Sequence, residues 1–232
     1  MVNHKLLRLS AALVLIGGAL VTVVADFLHP GGGTTYEATL AIWATSWDWT
    51  AIHLGQFVGM AGIAAGLLVL FFALNVSQGA LRWVGFFGAI SAGVAIALVS
   101  VVFAVDGVAN KQAADAWASA PTAEQATRFA SAQALRWLEW GTTSYQDFLL
   151  GLALVLFAIV IVGTARVKRT IGYLMGVSGL AFLVQGWVIG TTGFTSATTV
   201  PTAAGYGLLF ASMIWLLIVA WLGKESVQAV PT

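Results

Sequence analysis

The chain has no cysteine and only four prolines in 232 residues. The missing thiols exclude a disulfide scaffold, a thiolate metal site and a thiol nucleophile. Charge is also scarce: Asp, Glu, Lys and Arg make up 8% of the chain, against roughly 25% in an ordinary soluble domain. A water-soluble globule so poor in charge would expose broad apolar patches and aggregate. Composition therefore excludes a soluble enzyme and a disordered chain. Ten basic residues stand against nine acidic ones. That balance leaves no excess to neutralise a phosphate backbone, so no nucleic-acid partner is expected.

What is abundant is apolar surface. Hydrophobic residues make up 59% of the chain, and the mean hydropathy is +0.93. A membrane-spanning helix needs about 20 mostly apolar residues. Six stretches meet that need, at about 9–28, 52–74, 83–105, 143–163, 171–190 and 204–222. None shows the period-two alternation of a β-barrel strand. The expected fold is all-α: a polytopic integral membrane helical bundle of six transmembrane helices, forming one domain over 1–232. The short links after the second and fourth spans predict antiparallel hairpins. The fourth span is strongly apolar only from Phe148 to Val162. Crossing a bilayer therefore draws Tyr145, Gln146 and Asp147 below the surface.

Basic residues set the expected orientation. Lys5, Arg8, Arg82, Arg166, Lys168, Arg169 and Lys224 fall on one side, and Lys111, Arg128 and Arg136 on the other. The richer side is the cytoplasmic one by this rule. Both termini then lie in the cytoplasm of a protein of the cell membrane, and the long connections 27–51 and 106–138 face out. A cleaved signal is the competing reading of the first span, because Val23, Val24 and Ala25 precede Asp26. Its apolar run is longer than a signal core, which favours an uncleaved helix.

Both outer connections carry short interfacial helices in this reading. Leu40, Trp43 and Trp47 recur at helical spacing, and Trp favours the headgroup level. In the second connection, Thr122 and Gln125 fit a capping box, and Glu124 and Arg128 fit an i,i+4 ion pair. That helix is expected to begin near Ala123 and to run through Trp137 and Trp140 into the fourth span. The two hairpins also share a pattern. Arg82, Gly85, Phe86 and Ser91 are matched by Arg169, Gly172, Tyr173 and Ser178, each 87 residues on. This suggests a repeat of the second and third spans in the fourth and fifth, although basic flanks and glycine faces are common in unrelated spans. Glycines four apart (Gly55 and Gly59, Gly62 and Gly66, Gly172 and Gly176, Gly186 and Gly190) let helices approach closely within the bundle.

The polar residues are not evenly spread. Asp26 and His29 close the first span at its outer end, and His53 and Gln56 open the second there. Asp106 ends the third, and Glu139, Gln146 and Asp147 enter the fourth. Gln185 lies about 21 Å along the fifth, at 1.5 Å per residue, also in the outer half. Ionisable groups at membrane depth are costly and normally face the bundle interior or a wet cavity. Imidazoles with carboxylates suit a divalent metal such as zinc, with Asp26, His29, His53 and Glu139 as its expected ligands. They equally suit an acid–base pair or proton relay. Gln56, Asp106, Gln146, Asp147 and Gln185 are expected to bind a small polar or lipid-linked ligand.

Each residue also has a plainer reading. Asp26 and Asp106 could be solvated helix ends, His29 a loop residue and His53 an interfacial group. Glu139 could pair with Arg136, Asp147 could snorkel to the surface, and Gln185 could bond a neighbouring helix. A haem between His29 and His53 is disfavoured by their shallow position, and a retinal Schiff base by the lack of lysine within a span. Three functions follow. The first is an outward-facing His/Asp/Glu pocket for a metal or small polar ligand, with metal-assisted or acid–base chemistry. The second is a small-solute or ion transporter. The third is a non-catalytic scaffold in the lipid bilayer. Oligomeric state is left open.

Overall fold

The computed structural model describes residues 2–222, except for the side chain of Asp26. Met1 and the residues from 223 on, Lys224 among them, lie outside the described residues. Those described are helical, with no strand among them. Helix α1 is His4–Val23, and a π-helical turn, Val24–Leu28, continues it. Next come α2 (Tyr36–Thr45), α3 (Trp49–Leu74) and α4 (Ala80–Ala104). A second π segment, Val105–Asn110, joins α4 to α5 (Lys111–Ala118). Then follow α6 (Thr122–Thr164), α7 (Arg169–Thr192), a 3-10 turn (Ser196–Thr198) and α8 (Thr199–Leu222). Six of these stretches are long and apolar enough to cross a membrane: His4–Val23, Trp49–Leu74, Ala80–Ala118, Thr122–Thr164, Arg169–Thr192 and Ser196–Leu222.

The spans form a closed ring. Each packs on the next in sequence, and α8 returns to α1. Glycine makes two of these contacts backbone-close. A Cβ at Gly59 on α3 would lie 2.7 Å from the Gly17 carbonyl oxygen of α1, and Cβ atoms at Gly151 and Gly179 would each lie 2.6 Å from the other's carbonyl oxygen. No side chain fits at these crossings, so the helices interlock through their backbones. Serines add cross-helix hydrogen bonds to glycine carbonyls. Ser10 donates to Gly66 O at 2.7 Å, Ser144 to Gly186 O at 2.7 Å and Ser178 to Gly205 O at 2.6 Å.

The two hairpin turns lie together at one end. Asn75 and Ala165 end α3 and α6 in the left-handed conformation, both at φ 48°. Arg166 in the second turn donates to Leu74 O at 2.8 Å and also to Asn75 O, satisfying carbonyls that the end of α3 leaves open. The proposed repeat finds unequal packing. A Cβ at Gly85 would meet the Phe71 ring at 3.4 Å, whereas one at Gly172 would meet the Ala158 carbonyl oxygen at 3.1 Å.

At the opposite end α2, α5 and the start of α6 build a cap with its own core of Leu40, Trp43, Trp49, Ala114 and Ala132. Tyr36 closes it by donating its hydroxyl to Ala132 O at 2.9 Å. Burial pushes the Tyr36 hydroxyl up to about 12. Two local expectations are corrected here. Trp47 lies beyond the end of α2 and is 92% exposed, because the helix stops at Thr45 and the chain turns into α3. Thr122 is not the cap of α6: Pro121 takes that place without a side-chain bond, and its carbonyl receives the Glu124 N–H at 2.8 Å. The continuous helix from the cap into the fourth span is present, as is the Glu124–Arg128 pair at 3.2 Å.

Candidate functional site

A cavity of about 530 Å³ opens between the cap and the spans. His29, Gln56, Asp106, Glu139, Gln146, Asp147 and Gln185 all line it. His53 stands directly behind Asp106 and is 1% exposed. The depth argument thus gathers residues from five spans at one place. Asp26, the remaining expected ligand, has its side chain outside the described residues.

Two π segments shape the mouth. The first ends in the bond from His29 N–H to Val24 O at 2.9 Å, a five-residue closure that wraps one residue more than an α-turn. It sets His29 at the capped end of the first span, against the rings of Trp49 and His53, with centroids 5.1 Å away in each case. The edge-to-face contact of the two imidazoles leaves no gap for a haem plane. The second π segment carries Asp106 and Asn110. It is held to α3 by Trp49, whose indole N–H donates to Asp106 O at 2.7 Å, and by Thr50, whose hydroxyl donates to Gly107 O at 2.9 Å. Gly107 is required there: a Cβ on it would lie 2.7 Å from the His53 Cβ. The close approach brings His53 Nε2 to 2.9 Å from Asp106 Oδ2.

The other His53 nitrogen fixes the tautomer. Nδ1 faces Trp49 O at 2.7 Å, and a carbonyl only accepts, so Nδ1 carries a proton. Nε2 is thereby directed at a carboxylate oxygen. Ligand atoms of His29, His53 and Asp106 all lie within 4.8 Å of one another. Burial, and next the neighbouring His53, hold His29 below the ordinary imidazole range, which keeps a lone pair available to a metal. Two imidazoles and one carboxylate form a donor set that suits zinc and leaves a coordination position open. Tetrahedral ligands near 2.0–2.1 Å from zinc sit about 3.3 Å apart. The His53–Asp106 pair is already near that spacing, and the wider separation within the trio would have to close by roughly 1.5 Å to hold such an ion.

Behind the trio runs a hydrogen-bond chain. Asn110 Nδ2 donates to Asp106 Oδ1 at 3.2 Å and to Glu139 Oε2 at 2.7 Å. Arg136 Nη1 donates to both Glu139 oxygens, at 2.7 and 2.6 Å. The guanidinium is itself packed over Trp43, Phe194 and Trp140. Glu139 is thus a paired, buried carboxylate one step behind Asp106, and Asp106 is the carboxylate that joins the imidazoles. Asn110 and Trp49 escaped the sequence reading. Asn110 lies four residues after Asp106, a spacing that shares a helix face, and this was the available signal. No protein family, curated protein or solved structure matches the chain.

Proposed function

We propose that this multi-pass membrane protein binds a divalent transition metal, such as zinc, through His29, His53 and Asp106. The open coordination position would face the cavity and a small polar or lipid-linked ligand. One observation carries this reading. The Nε2 face of His53 meets the Asp106 carboxylate at 2.9 Å, with the opposite nitrogen already committed to Trp49 O. Two acceptors so close need a cation or a proton between them. Donation of the remaining ring N–H to a backbone carbonyl is also the usual way to orient a metal-bound histidine.

When bound, such a metal would polarise a ligand oxygen or lower the pKa of a bound water. The chain's own groups do the positioning. Trp49 O fixes the His53 ring. Asn110 holds the second Asp106 oxygen and ties it to Glu139. Arg136 neutralises Glu139, so the mouth does not carry two uncompensated carboxylates. The mouth faces away from the cytoplasm in this reading, because Lys5, Arg8, Arg82, Arg166, Lys168 and Arg169 flank the other end of the bundle.

Protein purified without chelators should contain a stoichiometric metal, by elemental analysis, or take one up on titration with Zn²⁺, Mn²⁺ or Fe²⁺. The His29→Ala/His53→Ala double variant should lose it. Wild-type protein that binds none of these ions would end the metal reading. It would leave His53 and Asp106 as a hydrogen-bonded acid–base couple, the form their 2.9 Å contact takes when a proton lies between them.

A further inference from the structure

The deep end of the cavity has a different chemistry, independent of the metal reading. Asp147 lies 11 residues beyond Arg136 on α6, about 16 Å farther along the helix axis. It is 3% exposed and lines the cavity. Its Oδ2 has no hydrogen-bond partner, and neither does Thr143 Oγ1 nor Gln185 Oε1. Thr143 and Asp147 are four residues apart and share a face of α6. The Gln185 turn of α7 is held against that face. Ser144 donates to Gly186 O at 2.7 Å, and a Cβ on Gly186 would come within 3.2 Å of the Asp147 Cβ. Two locked helices therefore bring three residues with unpaired oxygens to the wall of one cavity.

No internal cation serves them. Among the described residues Arg136 is the one arginine or lysine that lines the cavity, and it is held by Glu139 near the mouth. The nearby Tyr206 hydroxyl is aimed at Met60 Sδ, at 3.6 Å. A buried carboxylate whose side-chain partner is only the neutral Gln146 amide is expensive, and one kept at a cavity wall suits a cationic ligand. Calcium and magnesium want six or more oxygens in a shell, which three do not supply. A quaternary ammonium has no N–H to offer and is recognised by aromatic faces. A primary ammonium carries three N–H donors on one positive nitrogen, one for each unpaired oxygen. Met60, Val102 and Phe103 supply apolar wall for a short carbon stem.

We infer that the floor of the cavity is a receptor for a protonated primary amine, held by Asp147, Gln185 and Thr143. The amine belongs to a small solute or to an ethanolamine-type lipid headgroup, and the two sources present the same group. Calorimetric titration of the purified full chain with ethylammonium chloride should give saturable binding. Tetramethylammonium and sodium chlorides should give none. Asp147→Asn preserves shape while removing the charge, and should weaken ethylammonium binding by roughly thirtyfold or more. Its unfolding temperature in detergent should stay near the wild-type value, which certifies its fold. Where Asp147→Asn does not yield folded protein, Gln185→Leu decides, with weakened binding supporting the site and unchanged binding overturning it.

In nanodiscs, competition against ethylammonium by phosphatidylethanolamine but not phosphatidylcholine assigns a lipid source. Competition by neither assigns a soluble amine, and equal competition by both overturns the site. So does the absence of saturable binding up to about 10 mM, well beyond the range of a weak specific complex, or binding that Asp147→Asn leaves unchanged. Metal uptake and amine binding are separate readouts, so either reading can fail alone.

Discussion

The two ends of this bundle are built on opposite principles. At the hairpin end the interior is dry. Leu7, Leu67, Leu70, Leu154, Phe157, Ile161, Ile171 and Leu216 are buried with at most 1% exposure, and the spans close around them. At the capped end the same six spans separate around a polar cavity roofed by α2, α5 and the start of α6. Lipid offers no hydrophobic reward for bringing helices together, so the closed end depends on fit alone. That fit comes from glycine crossings, cross-helix serine bonds and interlocked side chains. The open end is held by hydrogen bonds whose geometry also serves chemistry. Close apolar packing and the polar cavity are therefore separated along the bundle, and on the proposed function each should be open to perturbation without the other.

The strongest test of that separation is Phe157→Ala. Emptying so large a buried side chain should cost about 3–5 kcal/mol, read as thermal unfolding in detergent, with metal binding by the surviving folded protein intact. A parallel loss of metal affinity would show that the two ends are coupled. His53→Ala should do the reverse: metal affinity falls by about a hundredfold or more, some 2.7 kcal/mol, while the unfolding temperature changes much less. Gly107→Ala sharpens the geometric part. Its Cβ must displace His53, and equilibrium metal titration should register a loss of roughly ten- to a hundredfold, the range of supporting-shell changes, although no donor has been removed. Glu139→Gln retains the shape behind Asp106 but removes a charge, and a loss near tenfold is expected in the same titration. The smallest effect belongs to the exposed Glu124–Arg128 pair. Arg128→Ala should change stability by less than about 0.5 kcal/mol and leave metal titration unaltered.

Depth is what the sequence conveys well. Counting residues from the end of a span placed Asp106, Gln146, Asp147 and Gln185 near one level, and all four border the cavity. The run of α6 from the cap into the membrane was legible too, because the pattern of polar and apolar residues never breaks between Ala123 and Val162. Rotation about a helix axis is what spacing conveys poorly. The π segment at Val105–Asn110 wraps an additional residue into its turn, and nothing in Val-Asp-Gly-Val-Ala-Asn announces it. That turn is part of why Asp106, and not Glu139, stands beside the imidazoles. The same limit explains Trp47: a period of three to four residues through Leu40 and Trp43 continues on paper, but the chain has already left the helix.

Helix α6 touches both polar regions with one unbroken rod. From Glu139, at the rim, to Asp147, at the base, is eight residues, or about 12 Å. The helix is consequently a fixed ruler between the surroundings of the proposed metal site and the proposed amine floor. A molecule engaging both the proposed metal and the proposed amine floor would need its two functional ends separated on that scale. On the proposed readings, shorter molecules would engage one end at a time.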